Sequence, residues 1–133
     1  MIVLDTHALV WMDAGDKQLG RKTRARIEQD WRKGEVLVSA ISFWEVAVLA
    51  ERGRIKLASS IADWRHELIA AGLTEVPLDG HIALRASELN GLSEDPADRF
   101  IAATALLSHA TLVTADRRSL AWKHTLERLD ART

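Results

Sequence analysis

The chain has 133 residues, 47% of them hydrophobic and 28% charged, with no cysteine and a formal net charge of −1. That length suits one compact domain over residues 1–133, burying about two-thirds of its unfolded surface, and leaves no room for a second domain of ordinary size. The composition excludes a disulfide framework, a thiolate zinc site, an iron–sulfur cluster and a generic basic nucleic-acid coat, though not a local basic face.

Ile2-Val3-Leu4 is a short, wholly apolar run, the pattern of a strand buried on both faces. No basic segment or long apolar stretch accompanies it, so it reads as a structural strand and not as a signal peptide. Asp5-Thr6 ends it, and Ala8 to Met12 reads as helical. Residues 21–33 form a charged helix with Ile27 and Trp31 four apart, stopped by Gly34. Val36-Leu37-Val38 is a second buried strand, and Ser42 to about Arg52 a second long helix that is apolar almost all round. Ile61, Trp64, Leu68 and Ile69 mark an amphipathic helix over 60–71, ended by Gly72. Thr74 to Val76 is a third strand, and Asp79 caps a helix through Leu89. Asp95-Pro96 opens an alanine-rich helix running to about Ser108, with proline at the first helical position. Thr111 to Ala115 is a fourth strand, followed at once by Asp116, and Leu120, Trp122, Leu126 and Leu129 lie in an amphipathic tail.

Short apolar strands alternating with helices predict an α/β/α sandwich around a mainly parallel sheet of four or five short strands. In such sheets ligands bind beyond the carboxyl ends of the strands. Asp5 and Asp116 directly follow strands. Glu45 lies in the first turn of the helix after strand two, and Asp98 in the first turn of the helix before strand four. All four can therefore face one sheet edge. Each also has a plainer role: Asp5 as a helix cap, Ser42 and Glu45 as a capping box, Asp98 at a positive helix end, Asp116 as a turn residue. Caps do not explain two acids that directly follow buried strands. Unneutralised, close carboxylates repel and one or more take up a proton. A hard divalent cation such as Mg²⁺, or Mn²⁺, removes that cost and can orient a water for attack on a phosphodiester.

The chain resembles PIN-domain ribonucleases, and most closely the VapC-type toxins of toxin–antitoxin pairs. The resemblance rests on Leu4-Asp5-Thr6-His7-Ala8-Leu9, on Val38 through Glu45 (Val-Ser-Ala-Ile-Ser-Phe-Trp-Glu), on Asp95 through Ala105 (Asp-Pro-Ala-Asp-Arg-Phe-Ile-Ala-Ala-Thr-Ala) and on Leu112-Val113-Thr114-Ala115-Asp116. It implies a parallel sheet between helices and Mg²⁺- or Mn²⁺-dependent RNA cleavage, with Asp5, Asp98 and Asp116 as metal ligands and Glu45 as the fourth catalytic acid. Thr6 and Thr114 would be the hydroxyls that hold site carboxylates or water. It further implies a VapB-type antitoxin as partner, a homodimer, and a heterotetramer or larger assembly with the antitoxin, in the cytoplasm and away from membranes. Ser93-Glu94 before Asp95 departs from relatives that carry histidine or basic residues there. Asp95 itself is either a fifth ligand or only a helix cap.

Arg99, Arg117 and Arg118 neighbour Asp98 and Asp116 and are candidates for contacting substrate or orienting a carboxylate. The basic run Arg21 to Arg26 reads as a solvated helix face, diluted by Glu28 and Asp30. His7, His66, His81, His109 and His124 lack metal-ligand spacing, and the five tryptophans read as core or interface anchors. No P-loop, dinucleotide fingerprint, zincin or nucleophile-elbow motif is present. Two other readings are a catalytically silent PIN-like module that binds RNA or protein, and a receiver-like Mg²⁺-binding signalling domain. The latter lacks an acidic pair after strand one and a lysine near Thr114.

Overall fold

A computed structural model describes all of residues 1–133. The elements in chain order are β1 (Ile2–Leu4), α1 (Thr6–Ala14), α2 (Arg21–Trp31), β2 (Val36–Ser39), α3 (Ile41–Glu51), α4 (Ile61–Ala71), β3 (Thr74–Val76), α5 (Gly80–Ser87), α6 (Pro96–Leu107), β4 (Thr111–Thr114), α7 (Arg117–Ala121) and β5 (Arg128–Asp130). The strands form one sheet in the order β3-β2-β1-β4-β5, and every neighbouring pair is parallel.

Side chains alternate across a strand, so each strand serves two cores. Ile2 and Leu4, Val36 and Val38, and Val113 lie in one cluster with Leu9 and Trp11 of α1, Ile27 of α2, Val46 of α3 and Trp64 of α4. Val3, Leu37 and Leu112 lie in the other with Ile82 and Ala86 of α5 and Ile101 and Ala105 of α6. The α/β/α sandwich expected from the strand–helix alternation is the observed fold, with five parallel strands. No helix is long and apolar enough to cross a membrane.

Three local expectations are corrected. The amphipathic tail is not one element: Arg117–Ala121 is a short helix, and Arg128–Asp130 pairs with β4 as the edge strand, Leu112 opposite Arg128 and Thr114 opposite Asp130. Ser42 and Glu45 form no capping box. The N-cap of α3 is Ala40, without a side-chain bond, because the buried Ser42 hydroxyl meets Thr6 of α1 instead. The first helix is also longer than expected, running to Ala14.

The connections decide where a ligand can sit. From β1 the chain moves outward through β2 to β3, then returns so that β4 lies on the other side of β1. The direction of winding reverses between β1 and β4. In an open parallel sheet a crevice forms at the carboxyl ends of the strands where the winding reverses.

Candidate active site

Asp5 and Asp116 leave the sheet at that reversal, from the adjacent strands β1 and β4, which run in register with Leu4 opposite Val113. The Asp5 backbone N–H donates to the Val113 carbonyl at 3.0 Å, which carries the pairing one residue past β1. Thr114, the last residue of β4, donates its hydroxyl to Asp5 Oδ2 at 2.6 Å and accepts from the Asp116 N–H at 3.0 Å. One buried threonine therefore fixes both strand-end acids relative to each other.

A cavity of about 340 Å³ opens there, lined by Asp5, Thr6, His7, Trp11, Glu45, Asp95, Asp98, Ile101, Ala115, Asp116, Arg118 and Arg132. The four acids singled out from the sequence thus share one pocket. The capping roles and the pocket roles coexist. Asp5 accepts from the Ala8 N–H at 2.8 Å and caps α1. Asp95 accepts from the Ala97 N–H at 2.9 Å and caps α6. Asp116 takes both the N–H and the hydroxyl of Ser119 on Oδ2, leaving Oδ1 without a hydrogen bond. Two positive helix ends, those of α1 and α6, consequently meet at the pocket. Thr6 donates to Glu45 Oε1 and its oxygen lies 3.0 Å from the Ser42 hydroxyl, so Glu45 is held from α1 across the chain.

The electrostatics are those of a crowded carboxylate cluster. Asp5 keeps some exposure as a residue, but its carboxyl is sunk among protein atoms. Burial pushes its pKa up, against the pull of the Thr114 and Ala8 hydrogen bonds. Glu45 is raised by burial and by the charges of Asp95 and Asp5, opposed by its bond to Thr6 and by His7. Asp98 is pushed up to about 6, first by burial and then by Asp95, Asp116 and Glu45.

The donor set is entirely oxygen, which suits a hard divalent ion. No three histidine, aspartate or glutamate side chains converge closely enough to hold a metal as they stand. As placed, these side chains do not enclose a dehydrated ion, whereas an ion that keeps several of its waters fits a pocket of this size and charge.

Not every expected residue lies here. Arg99 does not line the pocket: its guanidinium donates to the carbonyls of Ala86 at 3.0 Å, Ser93 at 3.2 Å and Ser87 at 3.5 Å, tying α6 to the end of α5. Arg117 is exposed and outside the pocket lining. Arg118 lines the pocket, 3.9 Å from Asp116 Oδ1, and is largely exposed. Arg24 and Arg26 of the basic run are engaged within the fold, Arg24 to the Leu19 carbonyl at 3.1 Å and Arg26 to Asp30 at 3.1 Å. Two polar residues outside the expected site set also line the pocket, His7 from the first motif, read as near the site without a role in it, and Arg132. His7 sits at the rim, edge-on to Trp11. Arg132 comes from the segment after β5, whose place in the sheet the sequence pattern does not disclose.

An acid-lined pocket at the winding reversal of a parallel α/β/α sheet has the oxygen donor set of a hard-cation site. The PIN-domain family profile matches residues 2–124. The chain is 36% identical over 124 residues, 92% of its own length and 92% of the relative's, to ribonuclease VapC22 of Mycobacterium tuberculosis (strain ATCC 25618 / H37Rv). The chain belongs to the PIN-domain family, as its four motifs suggested. Among solved structures it resembles VapBC2 from Rickettsia felis bound to a promoter DNA fragment, with a TM-score of 0.69 and 18% identity over 98% of this chain and 100% of that one. It also resembles a toxin–antitoxin complex from Klebsiella pneumoniae, with a TM-score of 0.66 and 19% identity over 98% of both chains. At such identities these two structures speak to the fold alone.

Proposed function

We propose that this chain is a divalent-metal-dependent endoribonuclease and the toxin of a VapBC-type pair. The observation that carries the reading is the meeting of Asp5, Glu45, Asp98 and Asp116 around one pocket at the β1/β4 reversal, three of them with raised pKa. The similarity to a VapC ribonuclease supports it. Asp5, Asp98 and Asp116 would hold one or two Mg²⁺ or Mn²⁺ ions, with Glu45 completing the set. Bound there, the metal supplies positive charge against the phosphodiester and lowers the pKa of a water to make it a nucleophile.

The chain's own residues do the rest. Thr114 holds Asp5 Oδ2 and keeps that carboxylate aimed across the strand end. Thr6 engages Glu45 Oε1 and leaves Oε2 without a protein donor, available to accept a proton. The N-termini of α1 and α6 and the pocket-lining arginines favour an anionic phosphate beside these acids. In-line attack with departure of the 3′ oxygen would leave a 5′-phosphate and a 3′-hydroxyl.

The test is inducible expression of the wild type and of Asp98→Asn, with mapping of RNA ends. The reading requires growth arrest and new 5′-phosphate ends with the wild type only, and loss of purified activity in EDTA. EDTA-resistant cleavage, or equal arrest by both proteins, contradicts it.

A second reading, a catalytically silent module, is favoured by one observation: no three side chains close around a single point. Calorimetric titration with Mn²⁺ separates the two, since a silent module has no metal site to titrate. A receiver-like domain is disfavoured because no lysine lines the pocket. The partners that go with the toxin reading are single-stranded RNA, a second copy of the chain and a VapB-type antitoxin. The apolar groove beside Trp44 on α3, which is 62% exposed, is surface available for a protein partner.

A further inference from the structure

A phosphodiester is an anion, and the pocket walls carry five carboxylates, those of Asp5, Glu45, Asp95, Asp98 and Asp116. Only two arginines share that lining, Arg118 and Arg132. Arg132 stands out by how it is held. It forms no ion pair with any of the five acids. Instead Nη1 donates to the Ala115 carbonyl at 2.8 Å, between the two site residues Thr114 and Asp116. Its guanidinium carbon lies 5.4 Å from the ring centroid of Trp11, another pocket residue. Nε and Nη2 have no protein acceptor.

The backbone that carries this side chain is fastened on two sides. The Ala131 N–H donates to the Thr114 carbonyl at 2.9 Å, extending the β4 pairing. Gly20 and Lys22 at the start of α2 donate to the carbonyls of Ala131 and Thr133 at 2.8 and 2.9 Å, and the Thr23 hydroxyl donates to the Asp130 carbonyl at 3.1 Å. The approach is so close that a Cβ on Gly20 would run into the backbone of Arg132 and Thr133. The Arg132 N–H closes the turn onto Asp130 Oδ1 at 2.9 Å. A long, exposed arginine is thereby delivered to the acid pocket from a rigid base, with half of its fork unused. Pre-organised guanidinium forks are what bidentate phosphate recognition uses.

We propose that Arg132, clasped to α2 and β4, is a phosphate-binding residue of the pocket that holds a non-bridging phosphate oxygen of the RNA strand beside the carboxylates. The proposal rests on the ribonuclease reading above and adds to it a substrate contact from outside the four motifs.

The test uses the full-length protein with Asp98→Asn as background, so that RNA survives the measurement. Binding of a fluorescein-labelled, mixed-sequence single-stranded RNA is followed by anisotropy in Mg²⁺ over a KCl series. Adding Arg132→Ala should weaken binding about tenfold and reduce the slope of log K against log[KCl] by about 0.7, the loss of one phosphate contact on a single strand. Arg132→Lys should keep the slope and recover only part of the affinity, because it keeps the charge and loses the fork. A merely structural arginine would lower the melting temperature without moving the salt slope. If Arg132→Ala does not fold, Arg132→Gln, which keeps a donor but no charge, carries the same expectation. An unchanged slope in the neutral variants, with RNA cleavage by the wild type but not by Asp98→Asn, overturns this proposal and leaves the nuclease reading standing. Failure of the wild type to cleave total RNA in Mg²⁺ or Mn²⁺ overturns both.

Discussion

Thr114 makes two hydrogen bonds through one hydroxyl, donating to Asp5 and accepting from the backbone of Asp116. Its side chain is almost fully buried, so the isosteric Thr114→Val removes the donor to Asp5 and the acceptor for the Asp116 N–H together. The expected cost is about 1–3 kcal/mol of stability in urea unfolding. If Asp5 ligates a metal as proposed, a further expectation is about 10- to 100-fold less cleavage, the usual penalty for losing a group that orients a ligand. Asp98 gives a second prediction. Its folded pKa of about 6 stands above the ordinary 3.8, so between those values the folded chain keeps a proton that the unfolded chain has lost. Stability is then fully present below about pH 4 and falls as pH rises through about 6, with Asp5 and Glu45 shifted in the same direction. Asp98→Asn should flatten part of that fall. In EDTA at neutral pH it should be more stable than the wild type by about 1–2 kcal/mol, allowing for solvent screening of a half-buried group. Urea melts of both proteins across the window check it through their difference, since Asp30 and Glu75, with lowered pKa values, act in the opposite direction in each; an advantage of Asp98→Asn that does not grow with pH there contradicts it.

At the scale of elements, neighbours in sequence point in different directions. Arg99 adjoins Asp98, but successive helical residues are about 100° apart on the axis, and Arg99 reaches α5 while Asp98 reaches the pocket. Adjacency in sequence therefore does not bring Arg99 to the pocket, whereas strand ends bring Asp5 and Asp116 there. Ser42 shows the same limit, since its spacing to Glu45 spells a capping box while a tertiary contact from Thr6 claims the hydroxyl. Helix α3 was legible as apolar all round, and its exposed Trp44 explains why: one side packs Phe43 and Val46 into the core while Trp44 lies beside a groove with Ile41, Val48 and Leu49. Trp44→Glu should therefore leave the melting temperature nearly unchanged, since a surface substitution typically costs within about 0.5 kcal/mol. If the protein self-associates through this face, the same variant should lower its mass in sedimentation analysis. A large loss of stability instead would mean that Trp44 supports the monomer's own fold.

For the whole molecule, three central strands were legible because a strand buried on both faces is built around an apolar run, complete in β1, broken only by Ser39 in β2 and reduced to Leu112-Val113 between two buried threonines in β4. The edge strand β5, Arg128–Asp130, is half-buried with two charged residues in three, so it carried no such signal. Arg132, which depends on it, stayed hidden with it. The charge balance follows the same division. A net charge of −1 averages over a surface whose pocket gathers five carboxylates against two arginines, and this imbalance is a standing electrostatic cost of the metal-free fold. An ion that binds only the folded chain repays it by mass action, adding about 2.7 kcal/mol when present at 100 times its dissociation constant. For a domain of this size each kcal/mol moves the melting temperature by roughly 2–8 °C. Mn²⁺ or Mg²⁺ should therefore raise the melting temperature of the wild type by several degrees or more, reversibly with EDTA. If Asp98 is a ligand as proposed, the rise should grow as pH passes about 6, because its carboxyl would have to give up a proton to bind the ion. Asp98→Asn, more stable without metal, should gain little from it, and the two proteins should exchange rank as the ion is added. Equal shifts in both proteins would place the ion somewhere other than this pocket.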